Sequence, residues 1–469
     1  MADLLLSTPI YGAASRVLSD ADTAVVAQLL KQVQALGRGN AERARYYEQR
    51  QAFKDFKIST PPQVLQQVES VLGWPAKAVD VLADRISFAA FTTSDGSGVD
   101  PFGLNEIADQ NHFRAEFAGA TTSTLINSCA FIVATQGLPG EPDVLWLTRT
   151  ASEATGLWDR RKRQLSAGLS VLDWGKNGEI TAVAVYLPDK TVEINFSSAN
   201  VGSASIIPNR VGRPLMVHTA FKPNLHRPFG FSRITRAVRS LTDSATRTIV
   251  RSEIGAEFFA APQRYGIGVD DSMGQWTALL GRFLTLELTE SGEKPEVGQF
   301  TQQSMQPHTD QLRLRTNLFA AETSIPVSEL GFVSENPSSD AAIQSQRDPL
   351  RQLSNSFIRD NQSALSQLAA MSVMLRDGLS EPPDGISSVS ARFEPTVQVT
   401  DAGRADALLK QVAILPWLAD SPIALEMLGY DQATINRLLS DKARSSASST
   451  LDRLLSVPQP ELVSAPEAE

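Results

Sequence analysis

The chain has 469 residues, 42% of them hydrophobic and 20% charged, with 43 Lys and Arg against 52 Asp and Glu for a formal net charge of -9. That composition is ordinary for a soluble globular protein, and the length allows about three domains' worth of core. An acidic total argues against a free-standing nonspecific duplex binder, which gains affinity by neutralising phosphates and releasing their counterions.

The first stretch reads as mostly helical over 19–84. The segment SDADTAVVAQLLKQVQALGRG offers Ser19 or Asp20 as a helix cap and Gly37 as a stop. PPQVLQQVESVLGW and PAKAVDVLADRI follow, each with proline at or near its first turn. ISFAAFTT then reads as a strand.

From about residue 120 to residue 220 the period changes to that of strands. AFIVATQ and DVLWLTRT flank the Gly/Pro turn GLPGEPD, and SAGLSVLDW and EITAVAVYL flank GKNG. YLPDKTVEINF predicts a further hairpin. The expected class is α+β with a largely antiparallel sheet.

A long helix follows over 229–260. Ile234, Val238, Leu241, Ala245, Ile249 and Phe259 recur at helical spacing and form one apolar stripe. Gly230 and Ser232 supply the start signal, and Ala261-Pro262 the stop. Arg233, Arg236, Arg247 and Arg251 project within about 60° of one another, well away from that stripe. Residues 221–260 hold seven Lys and Arg against three Asp and Glu, so this basic face stands out in an acidic chain. A solvated charged face is the plain alternative for the same pattern.

Beyond the helix lies a Gly-rich segment with short strands, then a second helix over 307–323 and a polar Pro/Ser/Asn loop. A long amphipathic helix runs to about Leu375 through Leu350, Leu353, Phe357, Ala364 and Leu368, with Pro349 expected to kink or restart it. SARFEPTVQV reads as a strand, residues 401–441 as short helices, and the tail beyond about 456 as disordered.

Chemistry-bearing patterns are scarce. Cys129 stands alone in the apolar run SCAFIVATQ, which permits no intrachain disulfide and suits a buried thiol in a reducing compartment. His112, His218, His226 and His308 are isolated, so no zinc spacing exists, and phosphate-loop, dinucleotide and nucleophile-elbow motifs are missing. SDGSGVD at 94–100 reads as a turn rather than a cation loop. DRRKR at 159–163 reads as a solvated turn between strands rather than a nucleic-acid patch, and Asp270 and Asp271 point to opposite faces of a strand. No catalytic residue, metal or cofactor is expected. No apolar run is long enough to span a membrane, and MADLLLSTPIYG lacks the features of a secretory signal.

The segment RPFGFSRITRAVRSLTDSATRTIVRSEIGAEFFAAPQRYGIG at 227–268 closely resembles the portal proteins of tailed double-stranded DNA phages, the long-tailed phages of actinobacteria in particular. RARYYEQRQAF, GWPAKAVDVLADRISFAAF, YLPDKTV and FVSENPSSDAAIQSQRDPLRQLSNSF resemble the same family. The resemblance runs to about residue 440 and is most specific at 227–268 and 331–360. It implies a wing at 1–228, a first stem helix at 229–260, a clip at 261–302 and a second stem helix at 303–325. It also implies a tunnel loop at 326–341, a tunnel helix and wing return strand at 342–400, and a crown and tail at 401–469.

By that resemblance the chain forms a dodecameric ring at one capsid vertex, assembled in the host cytoplasm. Double-stranded DNA is packaged and ejected through its channel. Its implied partners are the terminase large subunit, the major capsid and scaffolding proteins and head-completion adaptors, with no membrane. Ser334, Glu335, Asn336, Pro337, Ser338 and Ser339 become candidates to face DNA, with Asp340 or Ser339 capping the next helix. Arg233, Arg236, Arg247 and Arg251 become candidates to meet a neighbouring subunit or DNA. The competing readings are another virion ring or adaptor protein, and a nucleic-acid-processing hydrolase, which would need the carboxylate or histidine cluster the sequence lacks.

Overall fold

The computed structural model describes residues 18–52, 70–93, 100–176, 178–195, 203–260, 264–267, 296–299, 304–331, 340–396, 401–430 and 432–455. The chain divides into two units, Met1–Thr396 and Val397–Glu469.

The first unit begins with helix α1 (Asp20–Tyr47), capped by the Ser19 side chain, which accepts from the Asp22 N–H. The helix does not stop at Gly37. Nothing crowds Gly37 or Gly39, and the residues beyond them are anchored by tertiary contacts. Asn40 is buried and donates to the Ala151 carbonyl, and Tyr46 donates to Asp243. Those contacts outweigh the roughly 1 kcal/mol that each helical glycine costs. Helix α2 (Trp74–Ala83) carries Pro75 in its first turn, as expected, and leads into strand β1 (Phe88–Thr93).

Two helices, α3 (Leu104–Gln110) and α4 (Phe113–Asn127), then precede the strands. Four antiparallel elements follow the sequence reading closely. Strand β2 (Cys129–Gln136) pairs with β3 (Val144–Thr150) across the GLPGEPD turn. After β4 (Ala154–Asp159), β5 (Gln164–Trp174) pairs with β6 (Ile180–Tyr186). Strands β7 (Lys190–Asn195), β8 (Ser203–Pro208) and β9 (Met216–Ala220) complete two sheets. One is the five-stranded meander β4-β5-β6-β7-β8. The other is three-stranded in the order β3-β2-β9, so β9 is an edge strand.

Alternation along the meander gives it one apolar face. Ala167, Leu169, Val171, Val183, Val185, Val192 and Ile194 are buried there with Val26, Leu29, Leu30 and Val33, the apolar stripe of α1. Each such side chain contributes about 1.5–3 kcal/mol on burial. Strand β2 is buried along Cys129–Ala134, and α4 packs against it. There Thr124 and Thr219 hydroxyls lie 2.6 Å apart, and the Cys129 thiol is pushed up to about 12 by burial.

Helix α5 (Arg236–Ala260) and helix α6 (Gln306–Thr323) bracket the two-stranded pair of β10 (Arg264–Ile267) and β11 (Glu296–Gln299). Helix α7 (Asp340–Asp377) is one helix of 38 residues that runs through Pro349 without ending. Pro349 lies on an exposed stretch, where water can satisfy the carbonyl left without its proline partner. Further along, Leu350, Phe357, Leu365, Leu368 and Ala369 are buried, and Ser372 accepts from the Trp146 indole at 2.7 Å. Strand β12 (Val389–Phe393) then returns to pair antiparallel with β1.

In the second unit, α8 (Asp401–Ile414), α9 (Pro422–Leu428) and α10 (Gln432–Leu455) bear out a helical cluster, and α10 is longer than the short helices expected. Among its described residues only Leu418, Ala424 and Ile435 are buried apolar side chains, whereas Leu409, Ile414, Trp417 and Ile423 are each more than half exposed.

Candidate functional site

The chain enters α5 through a shaped turn. Gly230 sits at a φ of +67, and a side chain there would meet the Phe221 carbonyl oxygen at 2.2 Å, so only glycine fits. Ser232 donates to the Ile126 carbonyl and accepts from the Ile234 N–H at 3.0 Å. The helix itself starts later than Gly230 and Ser232 suggested. The Thr235 hydroxyl accepts from the Val238 N–H at 3.1 Å, which makes Thr235 the cap.

Arg233 is therefore not on the helix, and it does not share the exposed basic face. It is 5% exposed. Its backbone N–H donates to the Leu125 carbonyl at 2.7 Å, its Nε donates to the Ala78 carbonyl and its Nη2 donates to the Thr323 carbonyl at 2.8 Å. Thr323 is the last residue of α6, where the exposed carbonyl dipoles favour a cation. One guanidinium thus joins α2, the entry to α5 and the end of α6. Burial, with the nearby charge of Arg85, pulls its pKa down to about 10, so it remains charged at neutral pH.

Helices α5 and α6 run antiparallel. The Thr235 hydroxyl donates to Glu322 at 3.2 Å near one end of the pair, while Arg247 and Arg251 approach Arg315 further out. Their contact is lined largely by small and hydroxyl side chains. Val238, Thr242, Ala245, Thr246 and Val250 are buried on α5, and Thr316, Phe319 and Ala320 on α6. Thr242 and Thr246 donate back to the carbonyls of Val238 and Thr242, which satisfies the buried hydroxyls within the helix. Leu241 and Ile249 of the expected stripe are only partly buried, and the side chain of Phe259 lies outside the described residues.

The remaining arginines take different positions. Arg236 and Arg251 are exposed and Arg247 is half-buried. Arg239, which sequence reasoning passed over, pairs with Glu42 of α1 at 2.5 Å and lies over the Tyr46 ring. Arg315 was also missed. Burial together with the charges of Arg247 and Arg251 pulls its pKa down, and its Nε is buried without a hydrogen-bond partner. Among the described residues neither Arg251 nor Arg315 forms an ion pair. Arg251 of α5 and Arg315 of α6 bring like charges together in a basic patch on the two helices. Its sequence signal was available only in part, because QLRLRT shows Arg315 but not the helix that faces it.

The candidate tunnel-loop residues Ser334, Glu335, Asn336, Pro337, Ser338 and Ser339 lie outside the described residues, as do 94–99 and Asp270 and Asp271. Helix α7 begins at Asp340, one of the two residues expected to cap it. Among the described residues no group of three or more His, Cys, Asp or Glu is arranged to hold a metal ion. None of their helices is long and apolar enough to cross a membrane.

A family model described as phage portal protein, SPP1 Gp6-like, matches residues 39–417. The chain belongs to that family. The portal protein of Mycobacterium phage L5 is 26% identical over 374 residues, covering 75% of this chain and 74% of the relative. That of Mycobacterium phage D29 is 25% identical over 387 residues, covering 78% and 77%. A solved structure, the neck of a native GTA particle computed with C12 symmetry, aligns with a TM-score of 0.42 and 11% identity. The alignment covers 76% of this chain and 90% of that one. As a phage portal protein the chain is a virion component of the capsid vertex, with the genome-packaging and head–tail connecting roles of the family.

Proposed function

We propose that this portal protein acts as a ring of twelve copies, assembled in the host cytoplasm, through which the terminase large subunit drives double-stranded DNA. The major capsid and scaffolding proteins hold the ring in the vertex, and head-completion adaptors later take the motor's place. The observation that carries this reading is the antiparallel pair α5–α6, which brackets the small β10–β11 pair. It supports a stem at 229–260 and 303–325 with a clip at 261–302 between its helices. The body at 1–228 is then the wing, 326–341 the tunnel loop, 342–400 the tunnel helix and return strand, and 401–469 the crown and tail.

Two surfaces support assembly. Helix α6 turns Leu314 and Leu318 outward one turn apart, and they are 57% and 50% exposed. The second unit leaves Ile414 79% exposed and Trp417 64% exposed around a very small core of its own. Neighbouring copies in a closed ring cover such strips through heterologous contacts. The patch of Arg251 and Arg315 meets an anion from outside the subunit, either a neighbour's carboxylate or a DNA phosphate. An acidic chain overall lets DNA slide, because few phosphates are held.

Packaging reconstituted with empty capsids, terminase and this portal tests the reading. Deleting 334–338 is expected to leave the ring intact and reduce the DNA packaged or retained. Replacing Glu335 with lysine is expected to slow packaging in a salt-dependent way, since each copy then attracts a phosphate. Unchanged rate and DNA length for both variants would remove the tunnel-loop assignment.

A further inference from the structure

A cavity of about 730 Å³ opens in the first unit between the β4–β5 turn, strand β9 and helix α7. None of the roles above uses it. Its strand wall is an unfinished sheet edge. The Phe221 N–H donates to Ser128, and the Leu215 carbonyl accepts from Ala134, so alternate residues of β9 turn their backbone groups toward β2. The groups of Met216, His218 and Ala220 therefore point away from β2. For Ala220 the Asn361 side chain of α7 stands in for a missing strand. It accepts from the N–H at 2.7 Å and donates to the carbonyl at 3.0 Å. The outward groups of Met216 and His218 have no protein partner among the described residues, and both residues line the cavity.

The mouth is basic and fixed in shape. Arg160 and Arg163 line it, with Arg161 and Lys162 in the turn between them, and all four are exposed. Asp159 holds that turn by accepting from the Arg161 and Lys162 N–H groups at 2.8 and 3.1 Å. Trp158 and His218 give the lining an aromatic part, meeting edge to face with ring centroids 5.1 Å apart, and His218 is backed by Phe229 at 4.9 Å. The one carboxyl among the lining residues is Asp360 on the α7 wall, and burial raises its pKa.

We propose that this cavity docks an extended acidic segment of another protein, which adds to the free edge of β9 beyond Asn361 and is held by the basic β4–β5 turn. A strand edge with unpaired backbone groups gives affinity through main-chain bonds and selects side chains by pockets at alternate positions. The cations select the acidic residues, and the aromatic part of the lining takes one apolar side chain. Strands at the edges of the described sheets are not the occupant. Those of FAAFTT, VSARF, RYGI, EVGQ, VLWLTRT, ATGLWD, MVHTA and SASIIP carry at most one acidic residue each.

The test uses the full chain and a labelled peptide of alternating Glu and Val, read by fluorescence anisotropy. A Lys/Val peptide, a backbone N-methylated Glu/Val peptide and a short duplex DNA serve as competitors. The expected result is saturable binding of the acidic peptide, weakened at least tenfold by backbone methylation and by Arg160→Glu with Lys162→Glu. The thermal unfolding of that exposed double variant is expected to match the parent. No binding, equal binding of the Lys/Val or methylated peptide, or displacement by duplex DNA at equal charge concentration would each overturn the proposal. Unchanged binding in the double variant would overturn it as well.

Discussion

The root of the α5–α6 pair and the stretch further out use the same residue type in opposite ways. At the root, Arg233 is enclosed by α2 and α6 and gives its hydrogen bonds to backbone carbonyls. Further out, Arg251 is exposed and crowds Arg315, whose charge is penalised by burial and by like neighbours. The root cation is therefore part of the fold. The outer cations Arg251 and Arg315 instead lie close enough for their like charges to oppose one another. Sequence periodicity treats Arg233 and Arg251 as one face, because it assumes both are helical and says nothing of what packs around them.

The largest expected effect lies at the root. Arg233→Met removes two bonds from a charged donor, at about 1.5–3 kcal/mol each, and leaves buried carbonyls unpaired. A stability loss of roughly 3–5 kcal/mol is expected in denaturant unfolding, and a loss below 1 kcal/mol would erase the contrast between the root and the stretch further out.

A second group, the half-buried His218, gives a pH signature. Burial among Phe131, Trp158 and Phe229 pushes the His218 pKa from 6.5 down to about 4. The unfolded chain binds this proton first as pH falls. The stability is thus whole above about pH 6.5 and is lost between there and about pH 4, by up to roughly 3 kcal/mol. His218→Gln should flatten that part of the stability–pH curve; an unchanged slope would assign it to carboxylates instead.

A smaller effect is expected where α1 meets α5. Tyr46→Phe removes the hydroxyl that donates to both Asp243 oxygens at 2.9 Å, and should cost about 1.5–3 kcal/mol, the range for a bond to a charged group. Thermal unfolding of the variant beside Arg239→Gln would separate this bond from the neighbouring Glu42 pair.

The smallest effect on stability belongs to the outer arginines. Replacing Arg236 and Arg251 together with glutamine should change subunit stability by no more than about 1 kcal/mol, since exposed charges contribute little. Ring assembly or DNA packaging should nevertheless fall. Loss of assembly would assign the patch to a neighbour, and loss of packaging by intact rings would assign it to DNA. Normal packaging would leave a solvated face.

Much of the fold was legible where one local signal sufficed. The Gly/Pro turn at 137–143 and GKNG marked the β2–β3 and β5–β6 hairpins, and the stripe from Leu350 onward marked α7. Helix α4 was missed because it is buried on several sides, with Phe113, Phe117, Thr121, Thr124 and Leu125 all inside, and so shows no clean stripe. The run-on of α1 past Gly37 depends on Asn40 reaching Ala151, and the burial of Arg233 depends on Ala78 and Thr323. Such contacts join residues far apart in the chain, which local patterning does not register. The candidate site was half legible for the same reason: Arg247 and Arg251 were visible, but Arg315 joins them only through the antiparallel pairing of two helices.

The central claim is that identical copies of this subunit close into a ring around a channel. The most direct measurement is electron microscopy of the purified full-length chain, with light scattering on the same sample. The account predicts closed rings with an axial hole and a mass near twelve times 50.8 kDa. A strictly monomeric 50.8 kDa species at micromolar concentration, with no ring in the images, would contradict it.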